Sequence, residues 1–381
     1  METYIIAIQE LTMNKTLLDY FADLPDPRVE RTKLHKLEDI LAITICAVIC
    51  GAEGWNEIEL FGQCKQPWLN TFLELPNGIP SHDTFARVVS SIKPDDFEQR
   101  FQKWIQALAQ STGEKIIAID GKTIRRSFDT ANRKAAIHMV SAWACENKMV
   151  FGQIATDEKS NEITAIPKLL EMLVLDGSVV TIDAMGCQKK IAEKIIDGGG
   201  DYIFSLKGNH GTLHEEVKLF MDDAIANNVG YDYSSETQGD HGRIETRKVW
   251  YCQDVQWMTD SKDWPGLSSL IAVESQRVQG DKTTVERRYF ISSLSDKDAK
   301  SIGQMIRGHW GVENRLHWSL DVSFGEDNCR IRREFGAENF SRLRRIALNL
   351  LKQEKTLKRG IKAKQHKAGW DEQYMLKVLQ I

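Results

Sequence analysis

Two aspartates in this chain close apolar runs. In KIIAIDGKTI, from Lys115 to Ile124, Asp120 ends a stretch that can build a buried strand. In SVVTIDAMGC, Asp183 ends a second such stretch. A third acid, Glu313, stands in a helix-like run among Trp310, Val312, Leu316 and Trp318, an apolar setting for a charge. Burying a carboxylate is costly unless something pairs with it. One such residue alone reads as an ion-paired or turn-capping group. Three carboxylates brought together repel one another and favour a bound cation. Oxygen-only ligands select hard ions such as Mg²⁺ or Mn²⁺. Two such ions about 3.5–4 Å apart activate a water or a 3′-hydroxyl and stabilise the leaving oxygen of a phosphodiester. The residue types therefore point to metal-assisted phosphoryl transfer on nucleic acid.

Gly121-Lys122-Thr123 is not a nucleotide loop. A phosphate loop needs G-x-x-x-x-G-K-[ST]. Ile116 stands where its first glycine would be, and Ile117 to Asp120 read as strand.

The elements that must position the acids follow from periodicity. Residues 1 to about 108 read as helices, including LEDILAITICAVICGA, WNEIELFGQCKQPWLNTFL and DDFEQRFQKWIQALAQ. Ser81 is a candidate cap of a short helix behind Pro80. KIIAIDGKT, AAIHMVSAWAC and MVFGQIATDE then read as three strands of a hairpin meander. A helix capped by Asn161, the strand ending in Asp183, a helix stopping at Gly198 and the strand DYIFSLKGN complete the order β-β-β-α-β-α-β. Three antiparallel strands plus two helical crossovers make a mixed sheet. In it Asp120 and Asp183 end neighbouring strands at one edge. Residues 211–295 read as a β-rich insertion containing ETRKVWYCQ, LSSLIAVESQ and TTVERRYFISSL. One long helix is expected over 298–324, with His309, Glu313 and His317 four apart on one face.

Composition excludes other classes. At 42% hydrophobic and 27% charged, the 381 residues are ordinary globular material. No apolar run reaches the roughly 18–20 residues of a membrane span. ILAITICAVICGA reads as a buried helix, and no membrane partner is expected. The seven cysteines, at 46, 50, 64, 145, 187, 252 and 329, form no C-x-x-C pair. That pattern, with no secretion signal, fits a reduced, cytoplasmic protein. Either Met1 or Met13 could start it. His210 and His214 are four apart but have no obvious third ligand, so they read as surface histidines. Cys187 reads as packing. The net charge of −4 does not exclude DNA, because local patches decide that binding. From about residue 330 to 381 the chain turns basic. Apolar Phe340, Leu343, Ile346, Ala347, Leu350 and Leu351 mark one packed helix face there, and the other is free to meet phosphates.

With these stretches in view, the sequence resembles the H-repeat-associated family of bacterial insertion-sequence transposases. These are DDE enzymes of the ISAs type with a ribonuclease H-like core. The likeness runs from about residue 18 to the end. It rests on DPRVERTKLHKLEDILAITICAVICGAEGW, GIPSHDTFARV, IAIDGKTIRRS, TDEKSNEITAIPKLL, TIDAMGCQKKIAEKI, DYIFSLKGN, HGRIETR and HWGVENRLHWSLDVSFGEDNCRIRR. The resemblance implies an α/β fold. A helical transposase-associated domain over 1–108 precedes a ribonuclease H-like catalytic domain over 112–381 that carries the β-rich insertion. It implies Asp120, Asp183 and Glu313 as both catalytic residues and ligands of two Mg²⁺ or Mn²⁺ ions. It also implies double-stranded DNA as partner, both terminal inverted repeats and target, with a homodimer on DNA.

One departure stands out. Related enzymes carry Tyr, two residues, Arg, three residues, Glu, six residues, Lys. Around Glu313 those positions hold Ile306, His309 and Leu320. The signature's DNA-handling roles are therefore not carried over. Lys122, Arg125, Arg126, Lys207, Arg243 and His309 remain candidates for DNA contact, with His241 and Arg247 behind them. The rival readings are a defective remnant, a metal-dependent nuclease without strand transfer, and a DNA-binding regulator whose carboxylates are structural.

Overall fold

The computed structural model describes residues 15–109, 116–128, 135–156, 162–240 and 242–380. The expected Asn161 cap, His241 and the alternative starts lie outside them.

After two short 3-10 turns, four α-helices follow: α1 (Leu37–Ile49), α2 (Trp55–Leu69), α3 (His82–Ser91) and α4 (Pro94–Ala109). Nearly every residue of α1 is buried, as its unbroken apolar run requires. Ser81 caps α3, its hydroxyl accepting from the Thr84 amide at 3.4 Å.

The core follows as β1 (Ile116–Thr123), β2 (His138–Ala144), β3 (Met149–Thr156), α5 (Glu162–Glu171), β4 (Val179–Ile182), α6 (Lys189–Asp197) and β5 (Asp201–Leu206). β1 pairs antiparallel with β2, and β2 with β3. β4 lies parallel to β1, and β5 parallel to β4. The strand order β3-β2-β1-β4-β5 is the mixed sheet expected of a ribonuclease H-like core.

The stretch read as an insertion does not stand apart from that sheet. After α7 (Thr212–Asn227) come β6 (Asp232–Asp240), β7 (Arg243–Cys252), β8 (Ser269–Gln279) and β9 (Lys282–Ser292). β9 pairs with β5, so one nine-stranded sheet runs on through β8 and β7 to β6. β6 escaped the sequence reading because DYSSETQGD is polar and mostly exposed, with no alternation to detect.

The long helix expected over 298–324 is three pieces. α8 (Ala299–His309) gives way to a π-helical stretch, Val312–His317, and then to α9 (Trp318–Val322). The chain ends in α10 (Gly336–Gln353), α11 (Ile361–Trp370) and α12 (Glu372–Leu379). α10 packs against α1, α3, α4 and β3, joining the helical region to the sheet. Its apolar face is buried as expected, but its other face is not free. Arg342, Arg344 and Arg345 are buried too. Arg342 Nε meets Glu98 Oε2 at 2.7 Å, and Arg345 Nη1 meets Glu326 Oε1 at 2.8 Å. The Arg344 guanidinium lies 4.4 Å from the centre of the Phe340 ring. These arginines hold the fold and do not reach solvent.

Candidate active site

Strand register brings the two aspartates together. Ile119 on β1 pairs with Ile182 on β4, so Asp120 and Asp183 are the next residues of adjacent parallel strands. One Asp120 oxygen accepts from the Gly121 amide at 2.9 Å. Asp183 Oδ1 accepts from the amides of Met185 at 3.0 Å and Gly186 at 3.4 Å, which turns the chain away from the sheet.

Glu313 arrives from the other side. Ile302 and Ile306 of α8 are buried with Val249, Ile271 and Phe290 of the sheet. His309 Nδ1 pairs with the Thr181 hydroxyl at 3.0 Å, tying the end of α8 to β4 two residues before Asp183. Val312 and Leu316 pack inward on the π-helical stretch, and Glu313 faces out. Its setting is therefore less apolar than the sequence suggested, because Trp310 and Trp318 lie on the surface. A π-helical turn of this kind recurs at functional sites. Asp120, Asp183 and Glu313 line one pocket, together with Lys207, His309, Arg288 and Trp310.

Electrostatics mark Asp120. Burial, with Asp183, Glu313 and Glu162 adding repulsion, pushes its carboxyl up to about 7. His317 Nδ1 is 3.7 Å from Asp120 Oδ2. Burial, with Arg345 and Lys122 nearby, pushes that imidazole down to about 4. Burial likewise pushes His309 down to about 4. Both rings are neutral near pH 7, so neither supplies a positive charge to the acids.

Behind Asp120 the packing is tight. His138 Nε2 and Glu162 Oε1 share a short hydrogen bond, and Thr123 Oγ1 meets His138 Nδ1 at 2.8 Å. A Cβ on Gly121 would stand 2.3 Å from both His138 Nε2 and Glu162 Oε1. Glycine follows Asp120 because nothing larger fits.

The other candidates separate. Lys207 and His309 line the acid pocket. Lys122, expected near the scissile phosphates, is buried instead among carboxylates. Its Nζ is 2.7 Å from Asp327, 2.8 Å from Asp321 and 3.6 Å from Glu326. There it ties the end of β1 to α9 and to the segment after it. Arg125 is exposed and 3.3 Å from Asp327. Arg126 is exposed, and its carbonyl accepts from Arg332. Arg243 and Arg247, at the far end of β7, share Glu245. His210 pairs with backbone groups of Lys207 and Cys187, while His214 packs on Tyr289, so the two do not converge. Cys187 is buried, which with the Asp183 charge raises its thiol pKa, as befits packing. Sequence reasoning missed Arg288 and Trp310. They stack at 4.4 Å, and only the β9–β5 pairing brings Arg288 here.

Comparison with known proteins agrees with this geometry. The DDE_Tnp_1-associated family model matches residues 18–105, and the model of the transposase DDE domain matches residues 111–350. The chain is a member of the DDE transposase family. The "H repeat-associated putative transposase YhhI" of Escherichia coli K12 is 45% identical over 370 residues, 96% of this chain and 98% of that one. The "Putative transposase YncI" of E. coli O157:H7 is 46% identical over 369 residues, 96% of this chain and 94% of that one. A short relative, "Inactive transposase YbfQ" of E. coli K12, is 51% identical over 79 residues, 21% of this chain and 94% of its own. No helix among the described residues is long and apolar enough to cross a membrane.

The donor set can be tested against a metal. Among the described residues no three His, Cys, Asp or Glu side chains already stand as a closed ligand cluster. The three acids nonetheless offer oxygen alone and face one pocket, where the charges of Asp183 and Glu313 add to burial in raising the pKa of Asp120. A divalent cation would relieve that repulsion, and hard oxygen donors suit Mg²⁺ or Mn²⁺.

Proposed function

We propose that this DDE transposase cuts DNA at the ends of its own element and joins the freed 3′-hydroxyls to target DNA. Asp120, Asp183 and Glu313 would hold two Mg²⁺ or Mn²⁺ ions. When bound, such ions polarise phosphoryl oxygens and lower the pKa of an attacking hydroxyl. The protein's part is positioning. The paired ends of β1 and β4 fix two carboxylates, and α8, tied to β4 through His309 and Thr181, presents the third. Lys207 and Arg288, which line the same pocket, would meet the phosphates beside the scissile bond. Handling two ends implies two copies of the chain on DNA.

The observation that carries this reading is the convergence of all three acids on one pocket. The test is cleavage of a duplex spanning the element's end, with Mg²⁺, Mn²⁺ or neither, by wild type and by Asp120→Ala, Asp183→Ala and Glu313→Ala. Metal-dependent nicking at the boundary, lost in all three variants, is expected. Binding without cleavage under either metal would overturn it and favour a remnant or regulator.

A further inference from the structure

A second surface feature lies across the π-helical stretch from the acid pocket. Three chain segments meet there, and each brings a cation. The β2–β3 turn contributes Lys148, which adopts a left-handed φ of 58°. The stretch that carries Glu313 contributes Arg315. The end of α10 and the residues after it contribute Lys352 and Lys355.

The junction is fixed by side-chain contacts. Cys145, in the β2–β3 turn, points its thiol at the Gly308 carbonyl of α8, 3.3 Å away. Gly311 packs close to Trp143 of β2. Arg315 lies one helical turn beyond Gly311. On the other side, Asn349 of α10 bridges the backbone of Val150, accepting from its amide and donating to its carbonyl at 2.9 Å. Gln353 reaches the Met149 sulfur at 3.5 Å. Lys352 lies beside Gln353, three residues past Asn349. The Lys355 ammonium then turns back to the Lys352 carbonyl at 2.7 Å.

These four cations have no carboxylate partner within 4.0 Å among the described residues. Several other basic side chains among the described residues are acid-paired. Arg247 shares Glu245, Lys248 and Arg287 share Glu274, and Arg288 meets Glu286. Lys364, next to the cluster, is likewise held by Glu354. Lys148, Arg315 and Lys355 are exposed, and Lys352 is half-buried. Burial, then the surrounding charges of Lys148, Arg315, Lys364 and Lys355, push the Lys352 ammonium down to about 8. Folding alone gains nothing from such an arrangement. A polyanion would relieve it.

We propose that Lys148, Arg315, Lys352 and Lys355 form a seat for the phosphate backbone of duplex DNA. Arg315 follows Glu313 by two residues on the same π-helical stretch, so the seat borders the element that carries the third acid. The proposal rests on the transposase reading for its partner, and it adds the surface. Backbone contacts of this kind position DNA without reading sequence.

The test is fluorescence anisotropy of the full chain on two duplexes of equal length, one spanning the element's end and one unrelated. Titrations run over a series of salt concentrations without divalent metal. Each phosphate contact contributes about 0.9 to the slope of log affinity against log salt. Lys148→Gln, Arg315→Gln and Lys352→Gln together are expected to make that slope shallower by about three on both duplexes. Lys248→Gln, which removes an acid-paired cation, should leave it unchanged. Lys352→Gln alone should hold or raise the melting temperature, whereas a structural lysine would lower it. An unchanged slope in the triple variant overturns the seat. So does an equal loss in Lys248→Gln, since bulk charge would then explain the effect. If wild type fails to cut the element's end yet the slope falls as expected, the proposed reaction fails and the seat stands. If wild type cuts and the slope is unmoved, the seat alone fails.

Discussion

His317 Nδ1 stands 3.7 Å from Asp120 Oδ2, and the pair is not an ion pair near neutral pH. Burial and the charges of Arg345 and Lys122 keep that imidazole neutral down to about 4. Asp120 therefore faces Asp183, Glu313 and Glu162 with no lysine or arginine paired to it among the described residues. Burial first, and then that repulsion, hold its carboxyl near 7. The site is built with an unmet demand for positive charge.

That demand has a pH signature in metal-free protein. The folded-state pKa of Asp120 is raised from 3.8 to about 7, so the folded form binds the proton more tightly. Stability is then greatest below the unfolded pKa and falls as pH rises from about 4 to about 7. The shift corresponds to about 4 kcal/mol at most. Asp120→Asn, which cannot ionise, is expected to melt higher than wild type above that window and to flatten the pH dependence. Mg²⁺ should raise the wild-type melting temperature more than that of Asp120→Asn. Thermal melts across the pH range check both. Parallel curves for the two proteins would sink the explanation.

Gly121→Ala tests the backing of the same residue. The new methyl would meet the buried His138–Glu162 pair at 2.3 Å. Overpacking of this kind typically costs about 1–3 kcal/mol. The end of β1 must also shift, so metal-dependent cleavage should fall with stability. Gly239→Ala on β6, where nothing lies within 4 Å, is the control and should be near neutral. Urea denaturation beside a cleavage assay decides it. A Gly121→Ala protein as stable and as active as wild type would show that the site tolerates the methyl.

His309 carries a different expectation. Its imidazole accepts or donates at Thr181 while held neutral. A histidine whose folded pKa is lowered contributes stability above its ordinary pKa and loses it as pH falls through about 6.5 towards 4. Cleavage should therefore show no inflection from His309 near 6.5. Titration of its ring protons by NMR measures this directly. A midpoint near 6.5 would refute the buried, neutral assignment.

Much of this was legible in the sequence because it lives in short-range patterns. The runs around Asp120 and Asp183 are apolar and short, and the helices between them impose parallel crossovers. Those facts allow the two acids to end neighbouring strands, and the β1–β4 pairing puts them side by side. Glu313 was legible by type and by family likeness, but the π-helical stretch that presents it was not. Val312 and Leu316 are spaced four apart in either helix type. β6 was hidden by its polarity. The fates of Lys122 and of the α10 arginines were hidden for another reason. A basic residue reads as solvated until its carboxylate is located, and Glu326 and Glu98 come from distant parts of the chain.

The Glu326–Arg345 pair shows what those hidden contacts do. Both side chains are fully buried, 2.8 Å apart. Against burial, Arg345, Lys122 and Arg344 hold the Glu326 carboxyl down at about 2. Its stabilising effect is present above the unfolded value of 4.5 and is lost as pH falls through about 2. Removing one partner strands the other charge in the interior. Arg345→Met is expected to cost about 3–5 kcal/mol, while Arg345→Met with Glu326→Leu should recover part of the loss. Lys297→Ala, at an exposed pair with Asp296, should change stability by less than about 1 kcal/mol. Glu326 also lies 3.6 Å from Lys122, which anchors the end of β1 just past Asp120. The double variant should therefore regain stability more fully than cleavage, because Lys122 loses one of its carboxylates. Urea denaturation and cleavage rates on the three variants separate the two effects. Equal recovery of both would mean that the buried pair serves the fold alone.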